Sequence, residues 1–246
     1  MSEEKIPPQR LRWEATSAPA TGIWALRRRL AAAMRRVIEH LVTIEAPRGA
    51  LQAAADRLEE YADYLAEQPR RQRYVGFSEA AVADERTEDE EGREGGHFDF
   101  SPLIGRSNPL SPPIEMSSDP DGTVYGRVTF GSAYEGPPAS VHGGYVAAAF
   151  DEVLGYAETF SDHPGMTGTL NVVYRRPTPL HVPLLFTAKI DRVEGRKIFV
   201  AGTLHAGEEL CAEATGIFVG MRPGTFEKLI AERAAREAAA REGGDG

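Results

Sequence analysis

Residues 146–160 read VAAAFDEVLGYAETF, and this stretch decides the fold. Its Ala, Leu and Phe content favours a helix, and that helix is apolar nearly all round. Such a helix has no side to offer to water, so it must be wrapped, here by a strongly curved antiparallel sheet. Candidate strands stand on both sides of it. TVYGRVTF (123–130) precedes it; TLNVVYRR (169–176), LLFTAKIDRV (184–193), KIFVAGTLHA (197–206) and LCAEATGIFVG (210–220) follow. Turn signals at Asp121-Gly122, Glu194-Gly195 and Ala206-Gly207 punctuate these runs. Short turns join the last three, which should therefore pair as an antiparallel meander. One strand, a buried helix and four further strands define an α+β fold.

Outward from this core the pattern changes. In residues 22–45, Ile23, Leu30, Met34, Val37, Ile38, Leu41 and Ile44 recur at helical steps, with Arg27, Arg28, Arg35 and Arg36 largely off that face. In residues 48–67, Leu51, Ala55, Leu58, Ala62 and Leu65 repeat until Pro69. A helical hairpin, or two helices docked on the downstream unit, accounts for both, with the arginines on a solvated face. A basic amphipathic helix is also compatible with weak contact to an anionic membrane surface. Residues 76–100 hold nine acidic and two basic groups, and ADERTEDEEGREGG (83–96) is nearly devoid of apolar residues, which reads as a linker. PGTFEKLIAERAAREAAAR (223–241) reads as a final helix. The expected organisation is a helical region at 1–82, a linker at 83–96, the α+β domain at 97–222 and a helical tail at 223–246.

Composition excludes whole classes of protein. The 246 residues are 41% hydrophobic and 26% charged, as in ordinary globular chains rather than fibrous or disordered ones. A net charge of −9 opposes nonspecific binding to nucleic acid. No stretch approaches the roughly 18 apolar residues of a membrane span. The polar start MSEEKIPPQR is unlike a secretory leader, and the single Cys211 fits a reducing compartment, so a cytoplasmic location is expected. Nucleophile-elbow, phosphate-loop, dinucleotide-loop, HExxH and CxxC motifs are absent. The six histidines show no ligand-like spacing, so neither a protein-bound metal nor a cofactor is expected.

Chemistry concentrates at the start of the buried helix, EGPPASVHGGYVAAAFDEVLG (135–155). Gly143 and Gly144 open it, where backbone N–H groups lack intrahelical acceptors and the dipole favours a developing oxyanion. Asp151 lies inside an otherwise apolar run, and a buried carboxylate needs a partner or a task; Glu152 beside it reads as the water-facing residue. Gly143 and Asp151 are eight residues apart, about 12 Å along a helix. One carbonyl cannot reach both within the roughly 3–3.5 Å that catalysis needs. If both act, they come from two antiparallel helices at a twofold interface, and the protein is a dimer or larger.

HGGYVAAAFD resembles the HGG…D signature of hotdog-fold acyl-CoA thioesterases of the PaaI-like type. YEGPPASVHGG, MTGTLNVVYRRPTPL, IDRVEGRKIFVAGTL and EATGIFV continue the similarity over residues 125–222, nearest to the branch that contains the human carboxy-terminal modulator protein. The resemblance implies a hotdog fold, a homodimer or homotetramer, and hydrolysis of acyl-CoA in fatty acid metabolism. It implies that Gly143 donates its N–H to the thioester carbonyl, and that Asp151 of the facing subunit is nucleophile or general base. Thr167 would bind that carboxylate or the attacking water, and His142 would shape the helix start. Substrate-binding candidates are Gly144, Tyr145, Asn171, Arg175 and Arg176, the arginines near the CoA phosphates or on a solvated strand end. Relatives with Asn six residues before the histidine differ here, where Gly136 stands. An acyl tunnel between subunits would be lined by Tyr145, Val146, Phe150 and Leu154.

Other readings fit less well. A hotdog dehydratase would need His at position 156, which is Tyr156. A non-catalytic acyl-CoA sensor with DNA-binding helices conflicts with Asp56, Glu59, Glu60, Asp63 and Glu67 on the second helix. A scaffold protein has no need of Asp151 and Thr167.

Overall fold

In the computed structural model, residues 19–69, 98–161, 165–222 and 225–242 are described, and the linker expected at 83–96 lies outside them. Two helices come first, α1 (Gly22–Thr43) and α2 (Arg48–Ala66). The strands β1 (Glu115–Ser118) and β2 (Val124–Val128) follow, then a 3-10 turn (Ser132–Tyr134) and α3 (Gly143–Glu158). The chain continues through β3 (Gly165–Tyr174), β4 (Leu184–Glu194), β5 (Lys197–Ala206), β6 (Glu209–Gly220) and α4 (Thr225–Glu242).

The strands form one antiparallel sheet in the order β1-β2-β4-β5-β6-β3. β4, β5 and β6 are the expected meander, with two-residue turns at Gly195 and Gly207, both at positive φ. β1, of sequence EMSS, was not foreseen, because four mostly polar residues carry too little alternation. α3 packs on β2, β3, β4, β5 and β6. Phe150, Val153, Leu154 and Tyr156 are fully buried there with Phe186, Ile198 and Leu204. Each such side chain contributes about 1.5–3 kcal/mol through the surface it removes from water. The Phe150 and Phe186 rings meet edge to face at 5.0 Å. Truncating Phe150 to Ala would leave a cavity costing about 3–5 kcal/mol.

α1 docks by a face rotated from its apolar stripe, of which only Met34, Val37 and Ile38 are half-buried. Ile23, Leu26, Leu30, Leu41 and Ile44 are exposed, whereas Trp24 and Ala31 are buried. Arg28 donates to both carboxylate oxygens of Asp99, which is wholly buried. Arg35 donates to the carbonyls of Arg106 and Asn108, and Glu39 accepts from the Ser132 N–H. Positions 24, 28, 31, 35 and 39 share one helix face, so this interface is largely polar. Its anchor is a charge pair 71 residues apart in sequence, which no local pattern reveals. α2 buries none of its side chains and α1 and α2 do not pack along each other, so of the two arrangements expected the hairpin does not form among the described residues, and α1 is the helix that docks.

Candidate active site

His142 caps α3: its Nδ1 accepts from the Gly144 N–H at 3.0 Å, which puts the proton of a neutral ring on Nε2. The cap engages Gly144 and leaves the Gly143 N–H without an acceptor among the described residues. An unengaged N–H at the positive end of a 16-residue helix can donate to an oxyanion. The Gly143 carbonyl is held from the other side by Tyr174, whose hydroxyl donates to it at 2.7 Å. No motif pointed to Tyr174, since its partner lies 31 residues away. Gly136 lies against the same turn. A Cβ there would come within 2.7 Å of His142 Cα, so an asparagine at this position would require the loop to move.

Two turns further along α3, Asp151 and Glu152 reverse the expected roles. Asp151 is exposed and Glu152 is buried. The sheet covers one side of α3, and consecutive residues point about 100° apart, so one carboxylate faces the core and the other the open side. Glu152 accepts from Ser101 Oγ at 3.3 Å, and burial pushes its carboxyl up to about 7. Glu158, at the end of α3, is likewise pushed up to about 7 by burial.

Thr167 Oγ1 donates to Asp151 Oδ1 at 2.8 Å. A bulge makes this possible. The β3–β6 register shifts between Thr167 and Thr169, leaving Gly168 unpaired. One extra residue reverses the strand's alternation, so Thr167 joins the helix-facing side below Leu170 and Val172, while Met166 turns outward. Beyond the bulge, Thr169, Asn171 and Val173 are exposed on β3, which forms one edge of the sheet.

The remaining candidates are dispersed. Arg175 and Arg176 are exposed, and each pairs with a carboxylate of β6, Glu213 and Glu209 respectively. Their charge is thus partly neutralised within the chain. Val146, Phe150 and Leu154, expected along a tunnel between subunits, are buried in the core of the single chain. Tyr145 borders a cavity of about 230 Å³ between α1 and the start of α3. Tyr134, packed edge to face on Tyr145 at 4.8 Å, also lines it, and burial pushes its phenol up to about 12. Among the described residues, no cluster of three His, Cys, Asp or Glu could hold a metal ion, and no helix is long and apolar enough to cross a membrane.

A curved antiparallel sheet packed on one long helix, with a capped Gly-Gly start and an outward carboxylate, defines a hotdog domain. The profile of the family described as Thioesterase superfamily matches residues 139–213. The crystal structure of protein RHA08564, a thioesterase superfamily protein, is 33% identical, with 82% of this chain and 96% of that one covered and a TM-score of 0.67. The chain belongs to the thioesterase superfamily. It is 35% identical over 91 residues to acyl-coenzyme A thioesterase THEM4 of Mus musculus, over 36% of this chain and 39% of that protein. With THEM4 of Xenopus laevis it shares 33% over 95 residues, 38% of this chain and 43% of that one. The chain thus spans about two fifths of the length of these curated relatives.

Proposed function

We propose that the chain hydrolyses acyl-CoA thioesters to the free acid and CoA, with two copies completing each reaction centre. The observation that carries this reading is the Asp151 carboxylate, gripped by Thr167 at 2.8 Å yet facing away from its own core. Gly143 and Asp151 of one chain are about 12 Å apart, too far to act on one carbonyl. Antiparallel α3 helices across a twofold axis would set Gly143 of one copy beside Asp151 of the other. The exposed edge strand β3, with Met166, Val173 and Tyr174 uncovered, supports a partner on this side. The named relatives support CoA as the thiol.

In this reading the thioester carbonyl oxygen accepts from the Gly143 N–H. Thr167 occupies Oδ1 of Asp151, so Oδ2 takes a proton from water as that water's oxygen bonds to the carbonyl carbon. The C–S bond then breaks, the thiolate leaves with the electron pair, and it recovers the proton as CoA. Oxyanion donation contributes about 10²–10³ in rate, and general-base assistance about 10²–10⁴. In this reading Tyr145 and Asn171 are substrate-contacting residues, and the reacting groups lie within residues 97–222.

Thiol release over acyl-CoAs from acetyl to palmitoyl and aromatic tests this. Asp151→Asn is expected to lose at least about 10²-fold in kcat with the dimer intact by size-exclusion chromatography. Absence of turnover with every thioester would leave a non-catalytic binding protein instead.

A further inference from the structure

The side of α1 that faces away from the domain carries a regular apolar repeat. Ile23, Leu30, Val37 and Ile44 recur every seven residues, with Leu26 and Ala33 three places after the first two. In a heptad these are the a and d positions, the seam along which two helices wind around each other. Trp24, Arg28, Ala31, Arg35 and Glu39, which contact the domain, fall at b, c and f on the opposite side. Docking therefore turns the seam outward, and Ile23, Leu26, Leu30 and Ile44 are exposed. A strict seven-residue period tracks a left-handed helical partner, whereas a flat apolar surface asks only for the 3.6-residue period of an ordinary amphipathic face.

α2 carries a matching seam. Leu51, Leu58 and Leu65 continue the same period beyond Pro47, with Ala54 and Tyr61 at d. None of the α2 side chains is buried, yet most helical stability in proteins comes from packing an apolar face. The two seams of one chain do not meet: Ile44 and Pro47 leave helical geometry, with ψ of 145° and 149°, and α1 and α2 do not pack along each other. The helices are matched in length, at 22 and 19 residues, or about 33 and 28 Å. Charge decides which helices pair. α1 has five arginines and one acid, with Arg29 and Arg36 exposed at g beside the seam, whereas α2 has four acids and two arginines. Two copies of the same helix repel, and α1 attracts α2.

We propose that α2 of a second copy of this chain lies in the α1 seam, reciprocally, so that α2 of each copy covers α1 of the other. A twofold axis makes the two contacts equivalent. The N-terminal helices are thereby an interface between copies. The proposal does not rest on the hydrolase reading.

Cross-linking of the full chain tests it. Ala33 and Leu58 stand near the middles of their helices, so pairing in either direction brings them together. Ala33→Cys and Leu58→Cys chains, both in a Cys211→Ala background, are co-expressed under different affinity tags and treated with a short bismaleimide. The mixed pair is expected to be the predominant product, with little of either like pair. Leu30→Glu, on the exposed seam, should abolish the mixed pair and lower the helical circular dichroism as α2 loses its cover. Leu110→Glu, an equal change at an exposed leucine outside the helices, should do neither. Like pairs as abundant as the mixed one would overturn the proposal. So would an Ala33→Cys, Leu58→Cys double variant that cross-links only within one chain. Wild type that floats with phosphatidylcholine–phosphatidylserine vesicles while the mixed pair is absent would assign the seam to a membrane surface instead.

Discussion

Thr167 donates a 2.8 Å hydrogen bond to Asp151 from a strand whose alternation has been reversed by one bulged residue, Gly168. The bond fixes one carboxylate oxygen and leaves the other to the open side of α3. Thr167→Val keeps the shape and removes the donor. It is expected to lower kcat about tenfold or more, within the range for a misplaced general base, with KM little changed. Thr167→Ser retains the hydroxyl and should recover most of the rate. If Val and Ser behave alike in steady-state thiol release, the hydrogen bond plays no part in positioning Asp151.

The cap offers a separate test. His142 satisfies one of the orphan N–H groups of α3, and removing an N-cap acceptor costs about 1 kcal/mol. His142→Ala should lower the urea midpoint correspondingly, while His142→Asn, a good cap, should restore most of it. Equal midpoints for Ala and wild type would mean that the Gly144 N–H finds another acceptor.

The buried helix and its meander were legible because both rest on local pattern. An all-apolar helix needs wrapping, and Gly195 and Gly207 mark the hairpins. Which of Asp151 and Glu152 faces outward was not legible. Both sit in a run with little amphipathic bias, and the answer depends on where a sheet built from later residues stops covering the helix. The same limit applies to α1. Its apolar stripe obeys helical spacing, yet Ile23, Leu30, Leu41 and Ile44 stay exposed, whereas Trp24, Arg28 and Arg35 make the principal contacts. Thr167 came only from family resemblance, since nothing local announces the Gly168 bulge.

The Arg28–Asp99 pair is the strongest polar tie of α1 to the domain, with side chains 15% and 0% exposed. Removing one partner strands the other charge in a desolvated site, at a cost of about 3–5 kcal/mol. Arg28→Ala should therefore destabilise the chain strongly in urea titration. Asp99→Asn in the same chain should return part of the loss, because Ser107 still contacts that side chain. Additive losses in the double variant would show that the two groups are not coupled.

Glu152 makes stability depend on pH. Its carboxyl titrates near 4.5 in the unfolded chain and at about 7 when folded, because burial opposes its charge. Between those values the folded state holds a proton that the unfolded state has released. The contribution is therefore complete below pH 4.5 and declines as pH rises to about 7, by on the order of 3 kcal/mol. Glu158 is raised in the same direction, so the two losses reinforce each other. Glu152→Gln removes one of them and keeps an acceptor for Ser101 Oγ. The variant should gain on wild type from pH 5 to about 7 and hold that gain above it, and denaturant titration from pH 5 to 8 measures the change. A constant difference between the two proteins would mean that Glu152 is ionised throughout, with its charge stabilised inside the fold.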